Sequence, residues 1–300
     1  RLVANEKVEG STPFARSIKN KIMIIWIASY PKSGNTYVRS FLSSYYYSKK
    51  GKFDFELLLN IKQFPALKYS SKKAYTYVDA AKNWIPNQQS FFKKDQYYFL
   101  KTHNSLEEYF GNKFTTSSET IGGIYIVRDP RNVISSMCNH YALDLNKAYA
   151  KMIDVNSSLS FKLADEDYSN FTFLGKWSNH YWSWKNNMNF KTLIIKYEDL
   201  RDNTFEEFRK IINFIEDLKG TNNEINEEKL ENSINSTSFS KLKNKEKMYG
   251  FGESTVSKDG KPINFFNLGF KNQWENLLPK EMSDKIKDEF INELKDLKYE

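Results

Sequence analysis

Three hundred residues with a formal charge of +8 and a pI of about 9.1 can bury a sizeable core as one large α/β domain or two small ones. The charge suits an anionic ligand, a nucleic acid or a membrane surface, but the lysines and arginines are dispersed with no nucleic-acid motif gathering them, and no apolar run is long enough to span a bilayer. A single cysteine, Cys138, excludes an internal disulfide and a cysteine-based metal cluster; His103, His140 and His180 show no metal-ligand spacing, so a reducing, cytoplasmic setting and a metal-free site are expected.

Residues 1–20 lack the apolar core of a signal peptide and are expected to form a flexible arm. One domain should follow over residues 21–300, since no Pro/Gly/Ser linker and no repeat divides them. IMIIWIA, residues 22–28, is a continuous apolar run that predicts a strand buried on both faces. After the turn YPKSGNT, Val38, Phe41, Leu42 and Tyr45 recur at helical spacing with Arg39, Ser40, Ser43 and Ser44 between them, so an amphipathic helix follows. The turn thus joins a strand end to a helix N-terminus, where unpaired N–H groups and the helix dipole favour an anion. It is not a Walker A loop, because Lys32 precedes the turn's only glycine, Gly34. The same residues also suit an ordinary turn with a helix cap.

Residues 50–95 are irregular and aromatic, with short helical pieces expected at 55–61 and 74–82. QYYFLKTH, residues 96–103, reads as a strand ending in Lys101 and His103. Residues 121–143 repeat the opening pattern: an apolar strand, a turn carrying Arg128 and Asp129, then a helix with Pro130 in its first position. Residues 174–188 predict a helix with Trp177, Tyr181 and Trp184 on one face, residues 190–200 a buried strand, and residues 204–218 a helix striped by Phe208, Ile211, Ile212 and Ile215. This alternation predicts an α/β fold: a doubly wound parallel sheet with helices on both faces. Ligands of such sheets lie at the carboxyl ends of the strands, so Lys32, His103 and Arg128 should converge there.

Taken in order, YPKSGNTYVR, KTH, IVRDPRNVISS, KYEDL, NSTSFSKL and NLGFKNQWENLL make most of the chain resemble the sulfotransferases that use 3′-phosphoadenosine 5′-phosphosulfate (PAPS). The RDP variant and the WSNHYWSW helix look closer to bacterial small-molecule members than to animal phenol and steroid enzymes. The resemblance implies a P-loop-like nucleotide site, PAPS as donor and adenosine 3′,5′-bisphosphate (PAP) as product. It places Lys32, Ser33, Gly34, Asn35 and Thr36 on the 5′-phosphosulfate, Arg128 and Ser136 on the 3′-phosphate, and Tyr37, Tyr197, Thr237 and Phe239 around the adenine, with Gly269 in the last motif. Chemistry supports three catalytic roles. Charge builds on the bridging oxygen, so Lys32 is the cation candidate; His103 is the candidate base for the acceptor hydroxyl; Lys101, two residues earlier on the same strand face, can assist the sulfonate oxygens.

The last motif departs from the family. Where relatives carry Arg-Lys-Gly this chain has Asn267, Leu268 and Gly269, so either Lys271 supplies the missing charge or nucleotide affinity is lower. Residues 247–271 are expected to close over the nucleotide and to be mobile without it. The expected reaction is transfer to a hydroxyl, less readily an amine, of a small molecule or glycolipid, with residues 50–95 and 144–173 lining the acceptor pocket. A P-loop phosphotransferase is disfavoured by the missing Walker A loop, and a nucleotide-binding regulator with degenerate catalysis is kept open by the altered motif.

Overall fold

The computed structural model describes residues 20–159, 166–221, 223–257 and 259–300. The expected N-terminal arm lies outside them apart from Asn20, as do residues 160–165 of the expected acceptor-lining stretch. Strand β1 (Met23–Ser29) leads through the YPKSG turn into helix α1 (Asn35–Tyr47). A 3-10 turn over Phe55–Asn60, the two-residue β2 (Lys62–Gln63), α2 (Tyr77–Lys82) and α3 (Trp84–Phe91) precede β3 (Tyr97–Thr102) and β4 (Thr120–Val127). Then come α4 (Pro130–Tyr141), α5 (Leu145–Ile153), the small hairpin β5 (Ser158–Leu159) with β6 (Thr172–Phe173), α6 (Trp177–Lys185) and β7 (Lys191–Lys196). The chain ends with α7 (Tyr197–Asp202), α8 (Thr204–Lys219), α9 (Glu227–Ser236), α10 (Phe239–Tyr249), a second hairpin β8 (Thr255–Val256) with β9 (Pro262–Ile263), α11 (Trp274–Leu277), α12 (Lys280–Glu289) and α13 (Ile291–Asp296).

The main sheet has five parallel strands in the order β2-β3-β1-β4-β7, with β1 paired to β3 (Ile27 opposite Lys101) and to β4 (Ala28 opposite Tyr125). All seven residues of β1 are buried, as its unbroken apolar run requires. Alternate side chains feed two cores: Ile24, Trp26 and Ala28 pack with Trp84, Phe114, Trp177, Tyr181 and Trp184 on one face. Ile25 and Ile27 pack with Val38, Phe41, Phe208, Ile211, Ile212 and Ile215 on the other. Each fully buried large side chain contributes about 1.5–3 kcal/mol, and because β1 residues feed both cores, the strand that launches the turn is held from both sides.

Several expected boundaries shift. The strand expected over 190–200 stops at Lys196, and Tyr197 opens α7, whose first turn carries Glu198 and Asp199 where the helix dipole favours acids. The helix expected over 174–188 is the shorter α6, since Gly175 has φ 66° and cannot continue a helix. The piece expected at 74–82 begins only at Tyr77, capped by Thr76, whose hydroxyl accepts from Asp79 N–H. Arg39, Ser40, Ser43 and Ser44, read as the polar face of α1, are all buried: one side of the helix lies on the sheet, while α9 and the 3-10 turn cover the other, with Ser44 Oγ 3.3 Å from Ser236 Oγ.

Candidate active site

At the carboxyl ends of β1, β3 and β4 lies a cavity of about 440 Å³, lined among others by Lys32, Lys101, His103 and Arg128, the convergence expected of a doubly wound sheet. Its far wall comes from α10, residues 252–255 and 265–270, and Asn272. No described helix is long and apolar enough to cross a membrane.

Lys32 sits in the left-handed region at φ 68°, and its Nζ lies 3.9 Å from the Phe265 ring centroid. Burial lowers its pKa to about 7, with Lys101 and Arg128 pushing the same way and Glu253 opposing. At the end of β3, Lys101 is buried and its pKa is likewise lowered by burial, against the pull of Glu253. His103 Nδ1 is 2.8 Å from the Ser29 carbonyl oxygen. That contact needs the proton on Nδ1, which leaves Nε2 as the basic nitrogen. Burial, then Lys101, pushes the His103 pKa down to about 3, so the ring is neutral at pH 7. Behind it, His180 Nε2 donates to the His103 carbonyl oxygen at 3.0 Å while Tyr125 Oη–H donates to His180 Nδ1 at 2.8 Å, a buried relay that fixes the backbone at His103.

Arg128 Nη1 donates to Ser136 Oγ at 3.2 Å and to the Lys32 carbonyl at 3.3 Å, and its guanidinium stacks 4.4 Å above Tyr197. Asn272 joins this group, its Nδ2 donating to Ser136 Oγ at 3.0 Å. Among the described residues, Ser33 Oγ, Asn35 Oδ1, Ser135 Oγ and Arg128 Nε are buried with no hydrogen-bond partner. Three of these four can donate, and buried donors without acceptors are what a polyanionic ligand would satisfy. Asn35 also donates from Nδ2 to the Ile27 carbonyl at 3.0 Å, tying the helix start back to β1.

Two glycines shape the space beside these donors. A Cβ on Gly34 (φ 103°) would lie 2.4 Å from the Tyr197 ring, and a Cβ on Gly269 (φ 58°) 2.5 Å from the Phe239 ring, so both aromatic faces rest on bare backbone. Tyr37, Tyr197, Phe239 and Phe270 all line the cavity. Thr237 does not: it is fully buried and its hydroxyl donates to the Ser233 carbonyl at 2.7 Å. Asn267 and Gly269 line the cavity, whereas Lys271 is exposed outside it; Lys243 of α10 reaches this segment, its Nζ donating to the Asn267 carbonyl at 2.7 Å.

Sequence reasoning missed four cavity residues or neighbours. Glu253 is the one carboxylate among the described residues lining the cavity, and it pairs with Arg39 at 2.6 Å and Lys101 at 3.2 Å. His140 lines the wall beside Lys32, its pKa lowered to about 4 chiefly by burial and then by that lysine. Asn272 completes the Ser136 cluster. The only advance signal for Arg39 was a cation in the second turn of a helix whose start reads as an anion site.

The family model described as "Sulfotransferase domain" matches residues 24–298. By sequence, no curated protein matches the chain significantly. The fold is similar to that of mouse sulfotransferase SULT7A1 complexed with PAP (17% identity, 93% of this chain and 86% of that one, TM-score 0.51). It is also similar to retinol dehydratase in complex with androsterone and inactive cofactor PAP (16% identity, 95% and 86%, TM-score 0.57) and to retinol dehydratase with retinol and PAP (17%, 93% and 83%, 0.56). With a family match running from the first core strand to the last helix, over a cavity edged by Lys32, His103 and Arg128, this chain belongs to the sulfotransferase domain family.

Proposed function

We propose that the protein moves a sulfuryl group from PAPS to the hydroxyl of a small-molecule acceptor, with His103 as base and Lys32 as the cation at the leaving oxygen. The observation that carries this reading is the arrangement at three strand ends: a neutral histidine with Nε2 free for a proton, two lysines beside it, and the Arg128–Ser136–Asn272 cluster across the turn. When bound, PAPS supplies a sulfur whose bond to the 5′-phosphate oxygen breaks as the acceptor oxygen bonds to it, the electron pair staying on phosphate. His103 Nε2 takes the acceptor proton, its ring held by Ser29. Lys32, protonated beside an anion, neutralises charge on the departing oxygen, and Lys101 sits where it can bind sulfonate oxygens. Ser33, Asn35 and Thr36 at the start of α1 hold the 5′-phosphate. Arg128 and Ser136 hold the 3′-phosphate, and Tyr197 and Phe239 flank the base.

A small-molecule acceptor is supported by the two retinol dehydratase structures, which hold androsterone and retinol, both apolar-bodied. The test is incubation with labelled PAPS and a panel of phenols, sterols, terpenoid alcohols and amines, reading transfer of label. Acceptor-dependent release of PAP supports the reading. Tight binding of PAPS with no transfer to any acceptor would favour a nucleotide-binding regulator instead.

A further inference from the structure

Glu253 is placed where the proposed reaction needs an anion of another kind. Its Oε2 accepts from Thr36 Oγ1 at 2.9 Å, and its Oε1 receives Arg39 Nη1 at 2.6 Å and Lys101 Nζ at 3.2 Å. Thr36 lies in the first turn of α1 and Lys101 at the end of β3, two of the groups assigned above to the 5′-phosphosulfate. The side chains of Arg39 and Lys101 are only 6% and 8% exposed, so these cations require a counter-anion in the free protein. Burial pushes the Glu253 carboxyl up, but Lys101 and Arg39 more than offset this and hold it well below the ordinary carboxylate range, so it stays charged.

Thr36 Oγ1 carries a single O–H, so it cannot donate to Glu253 and to a 5′-phosphate at the same time. The backbone leading into Glu253 borders open space. Gly250 (φ 71°) and Gly252 have no atom within 4 Å of where a Cβ would sit. On the far side, the segment is fastened only lightly to α4, through Thr255 Oγ1 donating to the His140 carbonyl at 2.8 Å. The Glu246 carboxylate accepts from Ser254 Oγ and from the N–H groups of Phe265 and Phe266, and Phe251 packs on Phe55 and Phe266, so the loop is pinned on both sides of Glu253 and it is the Glu253 side chain that turns away.

From this we infer that Glu253 is an internal competitor for the donor's 5′-anion subsite: in the free protein its carboxylate occupies Thr36, Arg39 and Lys101, and the donor binds as that carboxylate leaves. The inference rests on the PAPS reading above. It makes Glu253 a determinant of donor affinity, and Arg39 a cation handed from the protein's own carboxylate to the nucleotide's phosphate.

The experiment is calorimetric binding of PAP and of adenosine 3′-monophosphate, which lacks the 5′-phosphate, to the wild-type protein and to Glu253→Gln and Glu253→Asp. PAP should bind Glu253→Gln about tenfold or more tightly than wild type, while the monophosphate changes less than twofold. Glu253→Asp, which keeps the charge but falls a methylene short of Thr36, should also bind PAP more tightly. Equal gains for both nucleotides, with Glu253→Asp like wild type, would reduce the effect to the general field and overturn the competitor. Weaker PAP binding in Glu253→Gln would overturn it too, making Glu253 a residue that positions Lys101 in the bound state. PAP binding to none of the three proteins would remove the donor reading and the competitor together, whereas PAP binding with equal affinity to all three removes the competitor alone.

Discussion

Asp129 is held by Arg131 and not by Arg128: Arg131 Nη2 lies 2.7 Å from Asp129 Oδ2, and Arg131 Nε reaches Asp129 Oδ1 at 3.0 Å. Asp129 also caps α4, accepting from Arg131 N–H at 2.9 Å. In sequence Asp129 stands beside Arg128 as its natural counter-ion. In the fold it is engaged by the next basic residue, and the Arg128 guanidinium is left facing Ser136 with its Nε unpartnered.

If that fork holds the 3′-phosphate, Arg128→Ala should weaken PAP by about 1.5–3 kcal/mol, roughly tenfold to a hundredfold. Binding of adenosine 5′-phosphosulfate should change much less. Calorimetry with both nucleotides decides, and equal losses would make Arg128 a structural residue.

Lys32→Ala should lower kcat by orders of magnitude and PAP affinity far less, because backbone N–H groups and hydroxyls still hold the 5′-phosphate. The pH dependence follows from the same lysine. Its pKa in the free protein is about 7, so the charged form is present below pH 7 and is lost above it. We expect kcat/KM for the donor to fall as pH rises through about 7. The bound dianion restores the charge, so kcat should fall only at higher pH, and Lys32→Arg should move the basic limb of kcat/KM upward.

His103→Gln should suppress the chemical step while leaving donor affinity within a few-fold. With the His103 pKa near 3, the acidic limb of the wild-type kcat/KM profile belongs well below the usual histidine range. A wild-type limb near pH 6.5 that persists in the variant would assign the proton transfer elsewhere.

Three histidines have pKa values depressed mainly by burial: His103 to about 3, His140 and His180 to about 4. Unfolded, each takes up its proton near pH 6.5. The unfolded state therefore binds more protons between pH 6.5 and about 4, so the stability these groups contribute is complete above pH 6.5 and is lost as pH falls. Thermal unfolding followed by circular dichroism should show Tm dropping across that window, and His180→Gln should flatten the dependence while lowering Tm at pH 7.5. A Tm unchanged from pH 7.5 to 5 would contradict the buried, neutral histidines.

Gly34→Ala places a methyl group 2.4 Å from the Tyr197 ring on a backbone at φ 103°. The strain is of order 1–3 kcal/mol. The expected result is a folded but less stable protein that has lost most PAP affinity, since Tyr197 must leave the wall that Arg128 stacks on.

What was legible in the sequence is what periodicity and strand order control. The apolar run of β1, the Pro130 start of α4 and the stripe of α8 fix a parallel sheet, and a parallel sheet brings Lys32, His103 and Arg128 to one end. The misreadings have a common cause in tertiary contact. Arg39 and the serines of α1 looked solvated because a single apolar stripe was counted, yet the helix is packed on two sides. Lys196 ends β7 without any glycine or proline to announce it. Glu253 and Asn272 come from a segment with no period, so only the folded chain shows them touching Lys101 and Ser136.

One strand links the two halves of the proposed reaction. Ser29, the last residue of β1, holds the His103 ring, and Lys32 stands three residues further along the same backbone. Both are braced by the central sheet, while residues 50–95 and the loop of Glu253 are attached at its margins. The backbone positions of the proposed base and cation are thus set by the central sheet, while the Lys32 ammonium itself rests on Phe265 of the far wall. Substitutions at the rim that leave Phe265 in place can change which molecules are admitted, and how readily, without moving the two strand ends.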